Sequence, residues 1–193
     1  MKAIALLGSP RKRGNSDLLA DEVLRGAREA GADTDKVYLD DVTIRPTGEV
    51  GDNRRERVDS RSDDDMPAVL ERFLAADLVV LATPVYWHGV TGQLKCFIDR
   101  LSAYFSREPY VQRFQGKGYV VVTTYGANEP NHGRWVTEPL KRCVTFLGGV
   151  YLGDLCVSVF EKGKVADMPD ALENAFKVGA EAVTKLRKPR RGQ

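Results

Sequence analysis

The sequence predicts an α/β fold in which five parallel strands form one doubly wound sheet with helices on both faces. Two observations carry this. Short β-branched runs alternate with stretches of helical period along the whole chain, and one strand-to-helix cycle follows another, as a parallel sheet requires.

The strands are read at Ala3 to Leu7, Lys36 to Leu39, Leu78 to Ala82, Tyr119 to Thr124 and Leu155 to Phe160. After the first strand, Leu19, Val23, Ala27 and Ala30 share a helical face. A shorter helix runs through Val69, Leu70, Phe73 and Leu74, and a third carries Leu94, Phe97, Ile98, Leu101 and Phe105 on one side. The fourth covers Thr137 to Leu147, with Pro139 in its first turn and Gly148 as its stop. Leu172, Ala175, Phe176, Gly179, Val183 and Leu186 mark the last.

With 193 residues, 42% of them hydrophobic and 29% charged, the chain fits one globular domain over residues 1–187. The connection 40–65 is far longer than the usual linkage. Its sparse apolar residues (Val42, Ile44, Val50 and Val58) make it a surface excursion, solvated or lying as a partly ordered cover on a crevice or neighbouring subunit. Residues 188–193 are expected to be a disordered basic tail. No apolar run reaches the roughly 18 residues of a membrane span, so no membrane is expected as a partner and the expected compartment is the cytoplasm.

The formal net charge is +2, and five bases lie in the last ten residues; without them the body stands at −3. A nucleic-acid partner, which needs a basic face on the folded body, is therefore not expected. Cys96, Cys143 and Cys156 are far apart within apolar patterns and are expected to be small core residues, neither disulfide-bonded nor metal ligands.

In an open parallel sheet ordered 2-1-3-4-5, ligands bind beyond the carboxyl ends of strands one and three. Strand one ends in GSPRKRGNS, Gly8 to Ser16. Hydroxyls on Ser9 and Ser16, the Asn15 amide, Arg11, a backbone eased by Gly14 and a following helix N-terminus suit a phosphate. Asn15 or Ser16 is also expected to cap that helix, and a plain capped turn with solvated bases would account for the same residues. Neither GxxxxGK[ST] nor GxGxxG is met. Asp40 and Asp41, after strand two, are then solvated loop acids.

Strand three ends in TPVYWHG, where Pro84, Val85, Tyr86 and Trp87 suit a flat heteroaromatic ligand through backbone polar groups and ring faces. A subunit contact would use the same aromatics. A third loop, Thr124, Tyr125 and Gly126 onward, offers further donors or is a glycine turn with Asn128. Of the two histidines only His88 is placed at the crevice, and no proton-transfer role is assigned to it. Lys95 and Asp99 read as a surface ion pair. Tyr86, Trp87, Phe105 and Tyr110 are expected to cluster at one rim with the excursion, favouring a homodimer or homotetramer.

On GSPRKRGNS and on TPVYWHGVTGQLKCFIDRL, with its Gly92, Lys95, Phe97, Asp99 and Arg100, the chain resembles the flavodoxin-like NAD(P)H-dependent FMN reductase superfamily. The resemblance is strongest to its iron-sulfur flavoprotein branch. It implies FMN, with the phosphate at Ser9, Arg11, Gly14, Asn15 and Ser16 and the isoalloxazine near Pro84 to Trp87 and Thr124 to Gly126. The iron-sulfur branch carries closely spaced cysteines after strand two, and residues 40–65 contain none, so no iron-sulfur cluster is expected. The implied activity is transfer of electrons from NAD(P)H through FMN to a small acceptor such as a quinone, a nitro or azo compound, a metal ion or oxygen. A flavodoxin-like electron carrier serving a protein partner, or a flavin-free interaction protein, are the other readings.

Overall fold

The computed structural model describes residues 1–48, 59–61, 63–126, 129 and 131–188. Val50, Val58, Asn128 and most of the basic tail, on which parts of the sequence reading fall, lie outside the described residues, as does the middle of the 40–65 connection.

The strands are β1 (Lys2–Leu7), β2 (Asp33–Tyr38), β3 (Leu78–Pro84), β4 (Gly118–Tyr125) and β5 (Val150–Ser158). They pair in parallel in the order β2-β1-β3-β4-β5. The helices are α1 (Asn15–Glu29), α2 (Met66–Ala75), α3 (Gly92–Arg100), the short α4 (Val111–Phe114), α5 (Arg134–Phe146) and α6 (Pro169–Arg187). Among the described residues no helix is long and apolar enough to cross a membrane.

Strand alternation divides the core in two. Ile4, Leu6, Val79, Leu81, Tyr119 and Val121 face α2, α3 and α5, while Ala3, Ala5, Leu7, Val80, Val120 and Val122 face α1 and α6. The alanines of β1 let α1 lie close. Between α1 and α6 the backbones touch: a Cβ on Gly26 would overlap the Phe176 carbonyl, and one on Gly179 the Val23 carbonyl.

The edge strands depart most from their expected bounds. β2 begins at Asp33 because its first residues are polar and solvent-facing, and β5 begins at Val150 because Gly153 and Asp154 at the bulge interrupt its apolar run. Helix α5 starts a turn earlier than expected, which puts Pro139 inside the helix and not in its first turn. After Arg100 the chain tightens into a 3₁₀ turn, Leu101–Ala103, and Phe105 packs on Phe146 while Tyr110 packs on Tyr104. The single aromatic rim cluster expected from sequence is thus split. Cys143 and Cys156 are exposed and Cys96 is half-buried, correcting their expected place in the core, since α5 and β5 turn those positions outward. β5 also carries a bulge: Tyr119 pairs with Tyr151 and Val120 with Gly153, skipping Leu152.

The excursion is anchored where little burial was expected. Arg100 is fully buried and its guanidinium donates to Asp64 at 2.7 Å, to Asp59 at 2.5 Å, and to the carbonyls of Arg45 and Arg61 at 3.1 and 2.8 Å. Tyr104 also donates to Asp59. At the start of the excursion, Asp40 accepts from Gln93 at 3.0 Å, and Asp41 pairs with Lys12 at 2.8 Å. Both acids are exposed, as expected. Lys95 and Asp99 form the expected exposed pair at 2.7 Å.

Candidate functional site

Parallel pairing brings the carboxyl ends of β1, β3, β4 and β5 to one edge of the sheet, and a cleft of about 620 Å³, mouth included, opens there. Its first wall is the loop from β1 into α1, through Ser9, Arg11, Gly14, Asn15 and Ser16. Ser9 Oγ accepts the Arg11 N–H at 3.1 Å. The buried Asp17 carboxylate accepts the Arg13 N–H at 2.7 Å and holds that residue in a left-handed turn, φ +56°. Asp17 is in turn bonded by Lys36 at 3.0 Å and by Tyr38. Desolvation lowers the Lys36 pKa, but bonds to Asp21, Tyr38 and Asp17 outweigh it and raise it overall.

The expected cap at Asn15 or Ser16 is not formed. Gly14 is the N-cap and no side chain caps the helix, so the amides of the first turn remain available. Asn15 instead spends its side chain across the cleft: Nδ2 donates to the Glu161 carbonyl at 2.8 Å, and Oδ1 accepts the Val165 N–H at 3.2 Å.

Pro84, Val85 and Tyr86 form the second wall, and Thr124, Tyr125 and Gly126 the third. The two are joined by the Val85 N–H donating to the Thr124 carbonyl at 2.8 Å. Beyond Tyr86 the chain reverses in a two-residue hairpin closed by paired Tyr86 and Gly89 bonds, each 2.9 Å. Its central residues, Trp87 (φ +49°) and His88 (φ +60°), are both left-handed, where Asn and Gly are usual. Trp87 is 99% exposed and, unlike the other eleven expected residues, does not line the cleft.

His88, expected at the crevice, does not line the cleft, because the hairpin turns it toward His132 and Trp135. Its ring lies 4.9 Å from that of His132 and 5.9 Å, edge-on, from Trp135, and His132 lies 5.6 Å from the ring of Tyr125. That ring contact was missed because the His132 loop carries no motif; the clue was that the chain leaves β4 at the same sheet edge. Val159, Phe160 and Lys162, from the loop after β5, were missed likewise and form a fourth wall.

The residues present fit a phosphate-bearing planar ligand. A Cβ on Gly14 would come within 2.8 Å of the Arg11 carbonyl, so the turn closes only on a glycine. Uncapped amides and Arg11 supply donors at one end, while Pro84, Val85, Tyr86 and Phe160 supply apolar walls at the other.

The model of the NADPH-dependent FMN reductase family matches residues 1–163. The chain is 30% identical over 158 residues to a Bacillus subtilis protein with the provisional name of NAD(P)H-dependent FMN-containing oxidoreductase YwqN, covering 79% of this chain and 82% of that one. It is 33% identical over 164 residues to an iron-sulfur flavoprotein of Archaeoglobus fulgidus, covering 80% and 72%. In fold it is similar to the Trp repressor binding protein of Bacillus subtilis, with a TM-score of 0.71 at 24% identity over 92% of this chain and 98% of that one. The fold is flavodoxin-like, as the sequence resemblance implies.

Proposed function

The chain belongs to the NADPH-dependent FMN reductase family and is an oxidoreductase, and from that premise we propose that it binds FMN in the cleft and passes electrons from NAD(P)H to a small acceptor. The observation that carries the reading is the convergence of eleven of the twelve residues expected from sequence on one cleft beside an uncapped helix N-terminus. Arg11, the first-turn amides and the Ser9 and Ser16 hydroxyls would hold the phosphate. Pro84, Val85, Tyr86 and the Thr124–Gly126 segment would flank the ring system.

When bound, FMN supplies the hydride and electron chemistry. The chain's own residues would orient the ligand and exclude water: the Val85 to Thr124 bond keeps two walls at fixed separation, and Tyr86, half in solvent at the rim of the cleft, would flank an incoming nicotinamide. No proton transfer is assigned to a side chain.

We read the protein as free of an iron-sulfur cluster. In support, residues 40–65 hold no cysteine, and Cys96, Cys143 and Cys156 are carried by three separate elements, α3, α5 and β5. A homodimer or homotetramer is proposed from the exposed aromatics Tyr86, Trp87, Trp135 and Phe160 near the cleft.

The test is the visible spectrum of the purified protein before and after anaerobic addition of NADH or NADPH. A bound flavin that bleaches on addition supports the reading. A colourless protein that takes up no added FMN refutes it, and a flavin that neither nucleotide reduces points to a carrier. Stoichiometric iron and acid-labile sulfide would overturn the cluster-free assignment.

A further inference from the structure

We propose that Asn15 is a positioning residue: it locks the loop after β5 against the phosphate loop, so that Lys162 joins the phosphate end of the cleft and Phe160 covers its mouth. The inference rests on the reading of the cleft as an FMN site.

Asn15 opens α1, where a side-chain amide would be expected to meet the ligand. Its two polar atoms are instead both engaged by the opposite loop, at the Glu161 carbonyl (2.8 Å) and the Val165 amide (3.2 Å). These bonds bracket Lys162 and Gly163. Gly163 takes a left-handed turn, φ +77°, beside the Arg13 carbonyl, which sets the loop on the phosphate-loop backbone. Lys162 thereby lines the cleft together with Arg11 and Gly14. Its neighbour Lys164 is engaged by Asp167 at 3.0 Å and takes no part.

Phe160 is fixed from the other side. The Val159 N–H donates to the Tyr125 carbonyl at 2.7 Å, and the Phe160 ring packs where a Cβ on Gly126 would come within 2.6 Å of Cδ2. An aromatic ring 83% exposed on a cofactor cleft, yet seated on a glycine, is placed to cover a ligand. A lysine adds charge specific to phosphate, and an aromatic ring adds contact that any flavin would feel.

The full-length protein, freed of flavin, is titrated with FMN and with riboflavin, which lacks the phosphate, following flavin fluorescence. Lys162→Gln is expected to weaken FMN about three- to tenfold at low salt and to leave riboflavin unchanged. Phe160→Ala is expected to weaken both ligands. Asn15→Ala is expected to weaken FMN at least as much as Lys162→Gln, and combining the two should add little, because the lysine is already released. Hydrogen exchange gives a flavin-independent readout: the Val165 amide should lose protection in Asn15→Ala and keep it in Lys162→Gln.

Wild-type FMN affinity in Lys162→Gln, or losses that multiply in the double variant, would overturn the proposal. Failure of the site reading itself looks different: the wild-type protein would not bind FMN, or Arg11→Ala and Ser16→Ala would both leave its affinity unchanged.

Discussion

Arg100 and Asp64 form an ion pair at 2.7 Å with both side chains closed off from solvent. The arginine belongs to α3 and the carboxylate to the end of the excursion, so this pair, with Asp59, ties a 26-residue connection to the body of the fold.

Replacing Arg100 by Met should destabilise the protein by about 3–5 kcal/mol, because Asp59 and Asp64 would stay buried without a countercharge. Adding Asp59→Asn and Asp64→Asn should recover much of the loss. Urea unfolding of the single and triple variants checks this, and an unchanged midpoint in Arg100→Met would refute the anchor.

Acid should release the same anchor. Desolvation alone would raise the Asp64 carboxyl, but bonds from Arg100 and from the Arg45 and Met66 amides hold it down at about 2. A group depressed in the folded state contributes fully above its ordinary value of 3.8 and loses that contribution as pH falls toward 2. The contribution is about 2 kcal/mol. Stability measured from pH 5 to pH 2 should therefore fall less steeply in Asp64→Asn than in the wild type.

Lys117 shifts in the same direction as Asp64, but there the fold disfavours the charged form. Its ammonium is buried and donates to the Leu74 carbonyl at 2.7 Å and the Ala76 carbonyl at 2.5 Å, behind the end of α2. Desolvation lowers its pKa to about 8 from 10.5. Between those values the unfolded chain holds more protons, so stability should rise with pH by up to about 3 kcal/mol relative to Lys117→Met. Parallel pH profiles for the two proteins would count against it.

Gly26→Ala and Gly179→Ala should each cost about 2–3 kcal/mol, since the added methyl meets a backbone carbonyl of the facing helix and not a side chain that can rotate away. Thermal unfolding measures it. Loss of less than a few tenths of a kcal/mol would mean the helices separate freely.

Trp87→Gly should stabilise the isolated protein by about 1 kcal/mol, because Trp87 buries almost nothing and its left-handed backbone is relieved. Urea unfolding at low protein concentration tests it for the protomer; destabilisation at every concentration would refute it, whereas a loss that appears only as concentration rises marks the proposed subunit contact.

What was legible in the sequence follows from burial. β3 and β4 are covered on both faces, so Leu78 to Ala82 and Tyr119 to Thr124 read as continuous apolar runs. The cleft loops were legible because GSPRKRGNS and TPVYWHG lie at strand ends that topology brings together. Arg100 was not, since its partners lie 36 and 41 residues away and nothing local marks a charge as buried. Asn15 was misread for a related reason: as a local signal it is a helix cap, and its real partners stand 146 and 150 residues further along.

The bulge that skips Leu152 has a consequence for how copies of the chain can meet. β5 is an outer strand, and an outer strand is an open row of amides and carbonyls on which a foreign strand can align. Here the strand kinks at Gly153, φ +153°, and exposes Asp154 next to it, so the row is broken near its middle and guarded by a charge. Strand addition and the aggregation that grows from it are disfavoured at this edge of the sheet.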